Sequence, residues 1–140
     1  MKSFILGILR ATVYFALNFT AWYIIPSFFL TSVGLEWISM GILFYFATLI
    51  STISALSAFY KGLKLGIVFS ITYDLSVISY ILYFGGGGII SMQLKGISIT
   101  LDIRLLLLVF LLPMVVSIVG KVWRIASMVA EERLKAYEVA

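Results

Sequence analysis

Along this 140-residue chain polar positions are so sparse that long apolar runs, rather than amphipathic periods, set the first picture. Four runs, at about 4–25, 35–57, 65–84 and 105–122, each predict a helix. Each approaches the ~20 apolar residues that cross a ~30 Å hydrocarbon core. In the first, Arg10 interrupts the run and the chain stays apolar past Ile25, unlike the short uninterrupted core of a cleaved signal peptide, so this segment is expected to stay attached. Trp22 and Tyr23 suit an interfacial aromatic belt, and Pro26 predicts the end or a kink of the helix, with residues 27–30 as an interfacial turn.

The second run lies between Glu36 and Trp37 at its start and Tyr60, Lys61 and Lys64 beyond its end. Ala47, Ser51 and Ala55 repeat at a small-xxx-small spacing, with Ala58 further along, which predicts close helix packing where no hydrophobic effect drives association. A sharper alternative is a polar path lined by Thr48, Ser51, Thr52 and Ser54. The fourth run is the most uniformly apolar, and Pro113 predicts a kink in it. It ends on Lys121, Trp123 and Arg124, and a helical tail over about 123–140, solvated or on the membrane surface, carries Glu131 four residues before Lys135.

Between the third and fourth runs the period changes. Gly85 to Gly88 read as a flexible linker, and no Lys-Ser/Thr follows them to make a phosphate loop. From Ile90 to Ile103 apolar and polar residues then alternate with period two, predicting a β-hairpin turning at Lys95 and Gly96. That register opposes Leu94 to Ile97, Met92 to Ile99 and Ile90 to Leu101; a bulged turn with Gly96 at positive φ fits equally. A lone two-stranded hairpin is marginal in water. Its apolar face is expected to rest on the bundle, on lipid headgroups or on another subunit.

The fold class predicted is an all-α integral membrane protein. It forms one membrane domain over 1–140, a four-transmembrane-helix bundle with a short extracytoplasmic β-hairpin between helices 3 and 4. Composition agrees: 63% of residues are hydrophobic and 11% charged, where soluble domains carry about 25% charged. The net charge of +4 points to orientation, not to nucleic acid, because the bases cluster at the ends of the runs. Lys2, Lys61, Lys64, Lys121, Arg124, Arg133 and Lys135 fall on one side, and Lys95 and Arg104 on the other. The positive-inside rule then places both termini in the cytoplasm and the protein in the cell membrane. No inverted repeat of the transporter kind is visible. Histidine and cysteine are absent, which excludes disulfides, imidazole or thiolate metal sites and Cys–His nucleophiles. No cofactor or metal is expected. Asn18 and Gln93 are the only amide side chains, a depletion that suggests a thermophilic source.

One carboxylate lies inside a predicted span. Asp74 sits about 15 Å beyond Lys64 along the third helix, near the midplane, where an unpaired charge costs about 2.5–3.5 kcal/mol. On the first helix Arg10, Tyr14 and Asn18 form a stripe at i, i+4, i+8, at depths of about 9, 15 and 21 Å from Phe4. The expected cluster has Tyr14 or Asn18 donating to Asp74 with Arg10 below. Arg10 can instead snorkel to the interface. Three roles for Asp74 follow: a clamp that fixes helix orientation, a proton or cation site in a translocation path, and a contact to a partner subunit. The function expected first is that of a non-catalytic membrane subunit of a larger complex, respiratory or otherwise energy-transducing. Its partners would be membrane lipids and other membrane subunits, a hetero-complex being favoured over a homo-oligomer, and not nucleic acid. The alternative is a small homo-oligomeric proton or cation transporter using Asp74. An enzyme ranks last, because paired acid–base groups need a second intramembrane carboxylate and there is none.

Overall fold

The computed structural model describes residues 1–33 and 39–140. Its elements are α1 (Lys2–Phe19), a π-helical turn (Thr20–Ile24), α2 (Ile25–Val33), α3 (Met40–Phe59), α4 (Lys64–Phe84), β1 (Ile89–Leu94), β2 (Ile97–Asp102) and α5 (Arg104–Val139). Among the described residues, four helical stretches are long and apolar enough to cross a membrane: Lys2–Ser32, Met40–Phe59, Lys64–Phe84 and Arg104–Val139. The expected start of the second helix, with Leu35, Glu36 and Trp37, lies outside the described residues.

Pro26, expected to end or kink the first helix, does not end it. A proline has no N–H for the carbonyl four residues back, which here belongs to Trp22. Two adjustments absorb the loss. Just ahead of the proline the helix loosens into the π turn, where Ile25 N–H reaches back five residues to Thr20. The Tyr80 hydroxyl of α4 then donates to the Trp22 carbonyl at 3.0 Å. Pro113 likewise lies within one continuous helix, and the expected tail is the same element. At 36 residues α5 is about 54 Å long.

The glycine run is a defined turn, not the flexible linker expected. Gly88 N–H bonds to Gly85 at 2.8 Å, and Ile103 N–H closes back on Gly88 at 2.7 Å. Gly88 has φ +99°, and a Cβ there would lie 2.5 Å from Arg104 Cγ, so only glycine fits. The hairpin has the expected register, Leu94 with Ile97, Met92 with Ile99 and Ile90 with Leu101. Lys95 and Gly96 both have positive φ, 51° and 83°, which is the two-residue hairpin turn rather than the bulged one. Strand β2 is exposed along its whole length. Its apolar side chains therefore do not rest on the bundle.

In the bundle α1 packs on α3, α3 on α4 and α4 on α5. Leu43, Ala47, Ile50, Ser51, Ser54 and Ala58 form the buried face of α3, with Ala55 half-buried beside it. Ala47 and Ser51 are fully enclosed, as close approach of neighbouring helices requires. The core gathers Leu30, Leu43, Ile50, Val77 and Tyr80, edged by Trp22, Phe46 and Phe84. Tyr80 makes an edge-on contact with Trp22 (ring centroids 5.0 Å apart) and a tilted one with Phe84 (4.7 Å). This aromatic cluster fills the half of the bundle nearer the glycine turn. The other half is not filled.

Candidate functional site

That other half holds a cavity of about 400 Å³. Its wall takes Tyr14 and Asn18 from α1, Ser54 and Ser57 from α3, Ser70, Tyr73 and Asp74 from α4, and Lys121 and Arg124 from α5, with Lys61 of the α3–α4 turn at its rim. The next residues inward on α3 and α4, Ile50 and Val77, are fully buried. On the α3 and α4 sides the cavity therefore borders the buried core.

Asp74 is buried, and its partner is not the one expected. Lys121 forms an ion pair with Asp74 Oδ2, and Ser117 Oγ donates to the same oxygen at 3.3 Å. Both come from α5. Helix direction explains how a lysine from the basic end of α5 reaches so far in. Side chains lean toward their own helix N-terminus, so on antiparallel helices Asp74 and Lys121 lean toward each other. A second pair, Lys64 with Glu132, repeats the arrangement near the start of α4. It lies 10 residues earlier on α4 and 11 later on α5, which fits one antiparallel register. Together the two pairs staple α5 to α4.

Tyr14 or Asn18 was expected to donate to Asp74, and neither does. Asn18 instead anchors a separate polar centre. Its amide donates to Ser54 Oγ and to the Tyr14 carbonyl, each at 2.9 Å. Its carbonyl oxygen accepts the Tyr73 hydroxyl at 2.8 Å and the Trp22 indole N–H at 3.3 Å. That uses both donors and both lone pairs of the amide. Because Tyr73 precedes Asp74, the two centres are adjacent on α4, and Tyr14 shares their cavity. Arg10 is exposed, makes no ion pair among the described residues and does not line the Asp74 cavity. No buried side-chain polar atom among the described residues lacks a partner.

The polar path imagined along α3 does not form. Thr48, Ser51 and Thr52 each donate to the carbonyl four residues back, of Phe44, Ala47 and Thr48. Ser54 alone of the four faces the cavity. Lys121 is the residue that sequence reading missed. Its place in the apolar-to-basic boundary of the fourth run suggested an orientation signal, and helix depths counted at Cα leave out the reach of a lysine stem.

Chemically the arrangement offers one carboxylate paired with a lysine, two further cations and several hydroxyls lining one pocket. It contains no pair of carboxylates for acid–base work. No group of ligating side chains among the described residues could hold a metal ion. Compared with family models, with curated proteins and with solved structures, the chain matches none.

Proposed function

We propose that this protein is a non-catalytic subunit of a larger assembly in the cell membrane, with its termini cytoplasmic and its hairpin outside. The observation that carries the reading is the uncovered hairpin. Ile97 is 67% exposed and Leu101 46% exposed, in a two-stranded unit that is marginal in water by itself. A neighbouring subunit bearing an apolar surface at the outer face would bury both residues. The long α5 adds to this: its principal helical neighbour is α4, so most of its length is available to lipid or to a second protein.

The test is to extract the native protein in mild detergent, determine the particle mass and identify co-purifying chains by mass spectrometry. The expected result is foreign subunits at fixed stoichiometry, lost when Ile97 and Leu101 are both changed to serine. A monomer with no companion chain would remove the proposal.

The alternative, a homo-oligomeric proton or cation transporter using Asp74, has one point in its favour: the cavity reaches the carboxylate. The Lys121 ammonium stands where the ion would bind, however, so this reading requires the pair to open during turnover. Flux into liposomes that persists in Asp74→Asn would exclude it.

A further inference from the structure

The cavity around Asp74 carries more positive charge than its own carboxylate can balance. Lys61, Lys121 and Arg124 face a single Asp74, which is already engaged by Lys121. Lys61 and Arg124 have no carboxylate within ion-pair distance among the described residues. We propose that this cavity is a binding site for a phosphate ester, and that its occupant is the headgroup of an anionic membrane lipid.

Hydroxyl placement supports this independently of charge. On α4 the hydroxyls of Thr72, Ser76 and Ser79 all donate to carbonyls four residues back, the usual way such groups are satisfied inside a membrane. Ser70 does not, and it lines the cavity. Tyr14, 46% exposed, lines the same wall, and its hydroxyl likewise makes no protein hydrogen bond among the described residues. Two cations and two uncommitted hydroxyls make a donor-rich lining suited to phosphate oxygens, to which charge-assisted hydrogen bonds are the strong ones. At about 400 Å³ the space falls within the ~300–1,000 Å³ range of small-molecule sites.

Lipid is favoured over a free anion by the way the helices surround the space. The helices pack in a row, α1 on α3, α3 on α4 and α4 on α5. The cavity's flanks come from the two ends of that row, Tyr14 and Asn18 of α1 and Lys121 and Arg124 of α5. A headgroup lodged between them can leave its acyl chains along the seam between α1 and α5, in contact with the bilayer. Basic pockets between transmembrane helices on the cytoplasmic side are a recurrent way of holding anionic headgroups. Orientation alone asks only that bases lie on one side of the membrane, and Arg133 and Lys135 serve that purpose as well as Lys61 and Arg124 do. The two roles therefore separate by mutation.

The experiment uses the full chain, delipidated in neutral detergent, with phosphatidylglycerol, phosphatidylcholine and inorganic phosphate as separate probes. Binding is read by native mass spectrometry and by the midpoint of thermal unfolding. The expected result is a retained phosphatidylglycerol adduct with a raised midpoint, and no comparable effect of phosphatidylcholine. Affinity should fall about 25-fold in Lys61→Met/Arg124→Met, a factor of about five for each base. It should stay unchanged in Arg133→Met/Lys135→Met. Ser70→Leu, which fills the cavity without altering charge, should abolish the adduct and thereby guards against a charge variant that fails to fold. Stabilisation by inorganic phosphate with none by phosphatidylglycerol would keep the phosphate site and overturn its lipid occupant. No response to either anion, or equal loss in the Arg133/Lys135 control, would overturn the site.

Discussion

Asp74 and Asn18 stabilise the bundle in different ways, and mutation should separate them. Removing one member of the Asp74–Lys121 pair leaves the other charge unpaired in a low-dielectric setting. Fully buried pairs lose about 3–5 kcal/mol this way, and exposed ones under about 1. Lys121 keeps 26% of its side-chain exposure, so we expect about 2 kcal/mol for Asp74→Asn or Lys121→Met, between those limits. The double variant should recover most of it, because two neutral side chains leave no orphaned charge. Equilibrium unfolding in detergent, run as a double-mutant cycle, reads the coupling directly; strictly additive losses would show that the two groups act independently. Asn18→Leu should behave otherwise. It strands the Tyr73 hydroxyl, the Trp22 indole and Ser54 together, at a cost of about 1–3 kcal/mol that no single second-site change restores. A loss below about 0.5 kcal/mol would mean that water replaces the amide. The sequence made Asp74 conspicuous because a carboxylate in an apolar run is costly. It left the partner ambiguous, because the rotation and axial offset of α5 against α4 depend on packing that no local pattern records.

At the level of elements, what could be read in advance depended on whether the governing contact was local. The hairpin register follows from a period-two pattern and a two-residue turn, all within residues 89–102, and it was legible. The continuity of the first helical stretch, from α1 through the π turn into α2, past Pro26 was not, since the carbonyl freed there is satisfied by a tyrosine 58 residues away. This gives a prediction with a definite sign of coupling. Tyr80→Phe should destabilise by about 1 kcal/mol, since it leaves the Trp22 carbonyl unpaired. In a Pro26→Ala background the same change should cost less, because an alanine at that position supplies the missing N–H. If Tyr80→Phe costs the same in both backgrounds, the hydroxyl is not compensating for the proline. The turn between α3 and α4 is a further case. A Cβ on Gly66 would lie 2.2 Å from the Tyr60 carbonyl oxygen, a backbone atom that cannot rotate away. Gly66→Ala should therefore displace the turn that carries Lys61 and lower the thermal midpoint, while Gly120→Ala, with open space around it, should not.

For the whole molecule, the arrangement of charge and the arrangement of helices make one joint statement that can be checked. If the four long apolar helices all cross, as proposed, their alternating direction puts Ser3 and Ala136 on one side of the membrane and Ser98, in β2, on the other. Under the positive-inside rule the excess of lysine and arginine beside the termini is the basis for the proposal that this side is cytoplasmic. The two ion pairs between α4 and α5 bind the last span into the bundle in the antiparallel sense, so it cannot reverse without separating Asp74 from Lys121. Because the chain has no cysteine, single substitutions Ser3→Cys, Ser98→Cys and Ala136→Cys provide three clean reporters. All three positions are exposed. An impermeant maleimide applied to intact cells should label Ser98→Cys alone, and the other two should react only after the membrane is opened. Labelling of Ala136→Cys and Ser98→Cys together from outside, with Ser3→Cys protected, would mean that α5 does not cross, and with it the placement of Lys121 beside an intramembrane carboxylate would fall. Labelling of Ser3→Cys and Ala136→Cys together, with Ser98→Cys protected, would keep the bundle and invert it. The hairpin would then face the cytoplasm, and the polar cavity would open to the outer leaflet, where its basic rim would meet outer-leaflet headgroups instead.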